Sequence, residues 1–233
     1  MGTVNKIYVY YHVAQMGNWN EVLSEQIAKL QESGLYNEAA GIHVGIVGTQ
    51  KMTADLPPKF KILFHNPCLK LGEIPTLEAL RQHALEDDFI VLYMHTKGVS
   101  WQEQNYSKEG MTAWRRYLEH FCIKQWKECS FLLNECDASG CEYIEPRDTG
   151  KGILPSHFRG NFWWSKSSYL RKLPPVHSLS IPLGNPRRKA EYWLGNHPDF
   201  KASSLFNLKG EYGERGYLYN HVLDSELYTR DTA

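Results

Sequence analysis

The sequence lacks any long hydrophobic run. Its longest uninterrupted apolar stretch covers residues 89–94, whereas a helix that crosses a bilayer needs about 20 apolar residues. An apolar leader segment is also missing, because the chain enters a strand-like segment directly after Lys6. We therefore expect no membrane span and a cytoplasmic location, for a protein that is either whole or one part of a longer multidomain polypeptide.

The sequence also lacks an excess of charge of one sign. Its 26 Lys and Arg residues balance 26 Asp and Glu residues, so no general attraction to nucleic acid or to an anionic surface is expected. We therefore expect no nucleic-acid partner. Hydrophobic residues make up 42% of the chain and aromatic residues 13%, which is too much for a disordered segment. The length of 233 residues suits one large domain.

Cysteine is scarce, and its spacing excludes the usual roles. The chain has five cysteines and no Cys-x-x-Cys pair. Cys122, Cys129 and Cys136 lie seven residues apart, which separates neighbours by about 10.5 Å along a helix. That distance is too long for a disulfide or a shared metal ion. We expect these cysteines to be small core residues.

Several catalytic motifs are missing as well. The first strand is followed by a single glycine rather than a Gly-x-Gly-x-x-Gly turn, which argues against a dinucleotide site. Residues 145–152 fail as a phosphate loop, because Glu145 and Gly152 replace a required glycine and hydroxyl residue. Gly-x-Ser-x-Gly and His-Glu-x-x-His do not occur.

The pattern that is present alternates strands with helices. Apolar, β-branched runs predict strands, and amphipathic spacing predicts helices between them. Because the runs are continuous rather than alternating, we expect an α/β fold with a mostly parallel sheet covered by helices on both faces. The predicted strands cover residues 7–13, 41–48, 59–65 and 89–95, with short ones at 141–145 and 160–164. The predicted helices cover residues 22–34, 76–85 with Thr76 as N-cap, 112–136, 167–173 and 188–194, with a polar loop at 98–110 and a proline-rich connector at 174–186.

Polar residues stand at the ends of the predicted strands. In an open α/β sheet, ligands bind beyond the carboxyl ends of the strands. Strand one ends at Tyr11 and His12, and the most apolar strand ends at His95, Thr96 and Lys97. An imidazole and an ammonium two residues apart lie on the same side of a strand and suit a diphosphate or another anion. A surface turn with incidental charges is the alternative.

The chain resembles a group of nucleotide-sugar glycosyltransferases from bacterial polysaccharide loci and from large algal viruses that glycosylate their own capsid. The resemblance runs from about residue 7 to residue 194. It is carried by four segments: YMHTKG at 93–98, WRRY at 114–117, HFRGNFWW at 157–164 and RKAEYWL at 188–194.

This resemblance implies a single Rossmann-like domain of the GT-A type, with residues 1–110 binding the donor and residues 111–233 on the acceptor side. It implies a nucleotide sugar as co-substrate, UDP-linked in the favoured case, and a glycan or glycoprotein acceptor. A viral member would act in the host cytoplasm. Such enzymes usually hold Mn²⁺ or Mg²⁺ with Asp-x-Asp after the central strand, but His95-Thr96-Lys97 stands there in this chain. Either His95 is a lone metal ligand or Lys97 replaces the charge of the metal, and we favour independence from metal.

Glycosyl transfer needs cations at the leaving diphosphate and a carboxylate at the acceptor hydroxyl. The resemblance suggests Glu191 as the general base, with pairing to Arg187 or Arg188 at the surface as the alternative. Since Trp163 and Trp164 alternate across a strand, we expect one in the core and the other at the acceptor site. The predicted donor-binding residues are Tyr11 at the base, His12, His95, Thr96, Lys97, Arg115 and His157, and the predicted acceptor-binding residues are Arg159, Asn161, Trp163 and Trp164.

Two other function classes remain open at this point. A catalytically inactive module that binds a nucleotide or a sugar fits the missing Asp-x-Asp. A phosphatase or nucleotidyltransferase on a related scaffold is disfavoured, because no cluster of aspartates stands at the strand ends.

Overall fold

The computed structural model describes residues 6–52, 55–181, 188–213 and 217–229. The strands of this part of the chain are β1 (Lys6–Ala14), β2 (Gly41–Val47), β3 (Phe60–Asn66), β4 (Phe89–His95), β5 (Ala138–Gly140), β6 (Tyr143–Ile144), β7 (Arg147–Asp148), β8 (Ile153–Leu154), β9 (His157–Phe158), β10 (Trp163–Lys166) and β11 (Ala202–Ser204). Its α-helices are α1 (Trp19–Glu32), α2 (Leu35–Glu38), α3 (Ile74–Glu86), α4 (Lys108–Glu119), α5 (Trp126–Leu132), α6 (Ser167–Leu170), α7 (Lys189–Trp193), α8 (Tyr217–Asn220) and α9 (Glu226–Thr229).

Seven strands form the central sheet, in the order β11-β5-β10-β4-β1-β2-β3. Neighbouring strands are parallel except at β10, which runs antiparallel to both β4 and β5. The prediction of a mostly parallel sheet flanked by helices is confirmed. The chain builds β2 and β3 on one side of β1 and then crosses to place β4 on its other side. The carboxyl ends of β1 and β4 therefore border the point where the strand order reverses, which is where open α/β sheets bind ligands.

The apolar run of β4 explains its central place. Its first six residues are buried, because helices cover both faces of the sheet and leave no side of the strand for polar residues. The two faces form separate cores. One contains Tyr11 and Trp164 beneath α1, α4 and α5, and the other contains Tyr10 and Trp163 beneath α3, α6 and α7. The change of face between consecutive residues is the ordinary period of a strand.

The prediction of one continuous helix over residues 112–136 is wrong. Helix α4 passes into a π-helical turn at His120–Lys124, and α5 follows it. The wider turn is marked by the amide of Gln125, which donates to the carbonyl of His120, five residues earlier. The prediction that Cys122, Cys129 and Cys136 are core residues is confirmed, since all three are buried and free.

The predicted start of α3 at Thr76 is also wrong. The helix begins two residues earlier, with Glu73 at the N-cap position and Pro75 in its first turn, where a missing amide hydrogen costs nothing. Thr76 lies buried inside the first turn, and its hydroxyl group contacts the ring of His12 instead.

The shorter elements are displaced from their predictions. The strands predicted at residues 141–145 and 160–164 are β5, β6 and β10 with shifted bounds, and α6 and α7 end before residues 173 and 194. The connector at 174–186 has a 3₁₀ turn at Val176–Ser178, and its residues 182–187 lie outside the described ranges. Within those ranges, no helix is both long enough and apolar enough to cross a membrane.

Candidate functional site

A cavity of about 580 Å³ opens at the carboxyl ends of β1 and β4. Its size lies within the range of small-molecule sites. His12, Thr96 and Lys97 line it from the strand ends, and residues from beyond position 110, such as Arg159 and Tyr219, complete its walls. Residues from both sides of the predicted division at residue 110 therefore line one cavity.

The floor of the cavity is held by hydrogen bonds between strand ends. His12 and His95 are register partners on β1 and β4. The amide of Ala14 donates to the hydroxyl group of Thr96 at 3.0 Å. Nδ1 of His12 lies 2.9 Å from the hydroxyl oxygen of Thr76 on α3. Burial lowers the pKa of His12 to about 4, so His12 is a neutral polar wall rather than a cation.

His95 is also neutral, and one of its ring nitrogens contacts the backbone. Its Nε2 lies 2.9 Å from the carbonyl oxygen of Gly160. Because a carbonyl only accepts, Nε2 carries the proton, and the lone pair of the neutral ring is on Nδ1. Burial, together with the charge of Lys97, lowers the pKa of His95 to about 3. The described residues contain no group of three or more His, Cys, Asp or Glu side chains that could hold a metal, so His95 would be a lone protein ligand here.

Lys97 supplies the positive charge at the end of β4. Its side chain is half-buried, and its Nζ lies 3.8 Å from the ring centroid of Trp114. No carboxylate of the described ranges lies within ion-pair distance of Nζ. Burial lowers the pKa of Lys97, although Glu191 and Glu73 act in the opposite direction. Lys97 is thus a half-buried cation that lies over Trp114, with two carboxylates nearby but no ion-pair partner among the described residues.

A second wall comes from the segment around β9. Burial lowers the pKa of His157, against the raising effect of Glu191. Nη2 of Arg159 donates to the carbonyl oxygen of Gly213 at 2.8 Å and lies 3.6 Å from the carboxylate of Glu142. Nη1 of Arg159 is buried and has no hydrogen-bond partner among the described residues. Because Arg159 lines the cavity, its guanidinium adds positive charge to this wall.

Glu191 lies in the first turn of α7 and lines the same cavity. It is an electrostatic neighbour of both Lys97 and His157. Arg188 lines the cavity too, but the described part of the chain has no ion pair between it and Glu191. The alternative partner, Arg187, lies outside the described residues. The predicted alternative of a surface pair with Arg188 is therefore not formed in the described part of the chain.

Sequence reasoning missed a second carboxylate, that of Glu73. Its Oε2 accepts hydrogen bonds from the hydroxyl group of Tyr93 at 2.8 Å and from Nδ2 of Asn161 at 2.7 Å. Asn161 was predicted to bind the acceptor, but it is 2% exposed, and its own Oδ1 accepts from Nε1 of Trp163 at 2.9 Å. That prediction is wrong, because both ends of the amide are used inside the protein. The only sequence signal for Glu73 was its place before a helix that follows a strand end.

Trp163 and Trp164 were predicted to lie on opposite faces of the strand, and they do. Neither side chain is exposed to a ligand. Trp163 is 1% exposed and stacks on Tyr93 with 5.0 Å between ring centroids. Trp164 is fully buried, and its Nε1 donates to the carbonyl oxygen of Cys122 at 2.8 Å. The prediction of one ring at the acceptor site is wrong, because the sheet is covered on both faces.

Tyr11 and Arg115 are also misplaced by the sequence prediction. Tyr11 is fully buried, and its hydroxyl group donates to Gln26 on α1 at 2.6 Å. Arg115 is 3% exposed and pairs with Glu25 and Glu119, the latter at 3.3 Å. Both side chains belong to the contact between helices and sheet, and neither lines the cavity.

An aromatic wall of the cavity was not foreseen either. Tyr106 stacks on Tyr219 of α8 with 4.5 Å between centroids, and Tyr219 meets the edge of Trp114 at 5.1 Å. All three line the cavity next to Lys97. Because Tyr219 lies far along the chain, no local pattern around Trp114 indicates this cluster. The cavity thus joins an aromatic wall to a wall of cations and carboxylates.

Comparison with known proteins gives one family. Residues 6–180 match the family described as "Domain of unknown function (DUF8361)". The match covers the whole of the sheet except β11, and it includes the strand ends that line the cavity. No curated protein matches the chain.

Proposed function

The chain belongs to the DUF8361 family, and from its cavity we propose that it is a GT-A-like glycosyltransferase that moves a hexose from a nucleoside diphosphate sugar to a hydroxyl group of a glycan or glycoprotein. A UDP-sugar is the favoured donor. The proposal places the reaction in the cytoplasm, which would be that of the host if the chain is viral. It involves neither nucleic acid nor a membrane span.

One observation carries this proposal: the half-buried ammonium of Lys97 lies unpaired among the described residues, at the reversal of strand order, with Glu73 and Glu191 as its electrostatic neighbours. Glycosyl transfer develops negative charge on the leaving diphosphate and positive charge at the anomeric carbon. A cation flanked by carboxylates matches that distribution, and partial burial strengthens each interaction.

The cations of the cavity supply the diphosphate site. Lys97 lies at the end of β4, and Arg159 offers a buried Nη1 without a protein partner in the described ranges. Arg188 lines the same cavity. In this mechanism these side chains carry the neutralising charge, and no step passes through a metal ion.

The aromatic wall suits the nucleoside. Tyr106 and Tyr219 are partly exposed and present ring surface next to Lys97 and the buried Trp114, and a base or ribose packs well on such surface. This assignment replaces Tyr11, which is buried in the core.

Glu191 acts as the general base in this proposal. It accepts the proton of the acceptor hydroxyl while that oxygen bonds to the anomeric carbon. The bond between the anomeric carbon and the diphosphate oxygen breaks, and its electron pair stays on the diphosphate, next to Lys97. His157 is neutral because its pKa is lowered. Its Nδ1 lies 3.3 Å from the carbonyl oxygen of Pro155, so in this proposal its Nε2 accepts a hydrogen bond from a substrate hydroxyl group.

The test is release of nucleotide from UDP-, GDP- and dTDP-sugars, each with Mn²⁺, with Mg²⁺ and with EDTA. We expect one donor to be hydrolysed or transferred, with activity retained in EDTA. Binding of a nucleotide without turnover, with and without saccharide acceptors, would instead identify an inactive binding module. Activity lost in EDTA and restored by Mn²⁺ would contradict the role given to Lys97.

A further inference from the structure

The carboxylate of Glu73 is held in a fixed orientation in the wall of the cavity. Two donors converge on one of its oxygens, the hydroxyl of Tyr93 at 2.8 Å and the amide of Asn161 at 2.7 Å. Both donors are buried, and Tyr93 is further fixed by stacking on Trp163. The other oxygen, Oε1, accepts no hydrogen bond from the described residues, and Glu73 lines the cavity. The carboxylate therefore presents one free oxygen in a fixed orientation.

The position of Glu73 relative to Lys97 identifies what that oxygen meets. Glu73 is an electrostatic neighbour of Lys97 and of His12. If Lys97 holds the diphosphate, a repulsive carboxylate nearby is a cost unless it serves another part of the ligand. The sugar is bonded directly to the diphosphate and carries hydroxyl donors, which a carboxylate oxygen accepts strongly.

We infer that Glu73, oriented by Tyr93 and Asn161, is the site that binds a hydroxyl group of the transferred sugar and so selects the donor. This inference rests on the proposed glycosyl transfer. It gives the two carboxylates of the cavity different roles. Glu73 is fixed by buried donors and recognises the sugar, whereas Glu191, on the short helix α7, receives the proton of the acceptor.

The test compares two ligands that differ only by the sugar: the nucleotide sugar that is turned over fastest in the donor panel, and its free nucleoside diphosphate. Both dissociation constants are measured by calorimetry for wild type and for Glu73→Gln. The amide keeps the size of the side chain, and its oxygen can still accept from Tyr93 and Asn161. Its NH₂ group then replaces the free acceptor oxygen, while the negative charge near Lys97 disappears.

We expect the two ligands to respond differently. Loss of a charged acceptor weakens binding of the nucleotide sugar by about 10-fold to 100-fold. Binding of the free diphosphate stays the same or becomes tighter, because an anionic neighbour of Lys97 is gone. Equal effects on both ligands, or no effect on the nucleotide sugar, would overturn the assignment of Glu73.

A matched pair of tyrosine variants separates positioning from stability. Tyr93→Phe removes a buried hydroxyl that donates to Glu73, and Tyr10→Phe removes one that contacts His83 at 3.0 Å on the same face of the sheet. We expect only Tyr93→Phe to weaken binding of the nucleotide sugar relative to the diphosphate. Equal behaviour of the two variants would reduce Tyr93 to a structural role and remove the positioning part of the inference.

The same measurements distinguish failure of the proposed glycosyl transfer from failure of the role assigned to Glu73. If wild type binds neither ligand, the proposed function fails and the assignment of Glu73 fails with it. If wild type turns the donor over but Glu73→Gln leaves the ratio of the two dissociation constants unchanged, glycosyl transfer stands and only the inference on Glu73 is overturned.

Discussion

Replacing Lys97 by methionine is expected to weaken binding of the nucleoside diphosphate while leaving the fold as stable as before. A hydrogen bond to a charged group contributes about 1.5 to 3 kcal/mol. Its loss raises the dissociation constant by about 10-fold to 150-fold. Calorimetric titration of the donor's nucleoside diphosphate measures this change directly.

The stability of this variant follows from the surroundings of Lys97. The substitution loses a cation–π contact with Trp114, worth about 0.5 to 2 kcal/mol. It gains a sulfur–aromatic contact of about 0.3 to 1.5 kcal/mol and removes an ammonium that lacks a carboxylate partner within ion-pair distance in the described ranges. We therefore expect the free energy of unfolding to change by less than about 1 kcal/mol.

The pH dependence of the wild type provides a second readout. Burial lowers the pKa of Lys97, so its ammonium is lost at a lower pH than that of an ordinary lysine. Affinity for the diphosphate should fall as the pH rises through this lowered pKa, and it should stay flat in Lys97→Met. The free energy of unfolding changes with pH in the opposite direction. In this pH range the unfolded chain holds more protons at Lys97 than the folded state does, so the folded state gains stability as the pH rises toward the ordinary pKa of lysine.

Two variants serve as controls for this prediction. Lys172→Met removes an exposed lysine that does not line the cavity, and it should change neither affinity nor stability. Arg115→Met breaks a buried pair with Glu119 and should lower the free energy of unfolding by about 3 to 5 kcal/mol. If Lys97→Met behaves like Arg115→Met, or if it keeps full affinity for the diphosphate, the reasoning about Lys97 is refuted.

Three further predictions concern other titrating groups. Glu191→Gln should leave donor affinity nearly unchanged but slow transfer by about 10² to 10⁴ in steady-state kinetics, and wild-type turnover would remove Glu191 as the base. Burial raises the pKa of Glu119 from 4.5 to about 7, against the effect of Arg115. Between these two pH values the native state binds one more proton than the unfolded state, so thermal stability should fall as the pH rises from about 4.5 to about 7. The fall should vanish in Glu119→Gln, and a variant with the same pH profile as the wild type would contradict the argument. Because the pKa of His95 is lowered to about 3, its imidazole NMR shifts should stay constant from about pH 5 to pH 8, and broadening of these signals by added Mn²⁺ would show that His95 does bind a metal.

The strand ends show how far the sequence could be interpreted. A continuous apolar run predicts a strand buried on both faces, and β4 has that place. Because parallel strands end at the same edge of the sheet, the run also predicts that His12, Thr96 and Lys97 come together, as they do around the cavity. These are properties of single segments with regular periodicity.

The candidate site was less predictable, because its carboxylate depends on distant partners. Glu73 lies 20 residues from Tyr93 and 88 residues from Asn161. The same segment that looked like a ligand-binding motif, residues 160–164, instead orients this carboxylate and fills both cores. Alternation predicts opposite directions for Trp163 and Trp164, but it does not tell whether either face of the strand is open.

The amino-acid sequence by itself determined the α/β class, the mostly parallel sheet and the edge at which polar side chains collect, since apolar periodicity and chain order suffice for these. Only the tertiary structure decided which charges are available to a ligand. Arg115 and Arg159 are both mostly buried arginines, yet the first pairs with Glu25 and Glu119 away from the cavity, while the second lines the cavity. Whether a charged side chain is available to a ligand depends on which groups pack within hydrogen-bond distance of it. Contacts between segments far apart in the chain determine which groups those are.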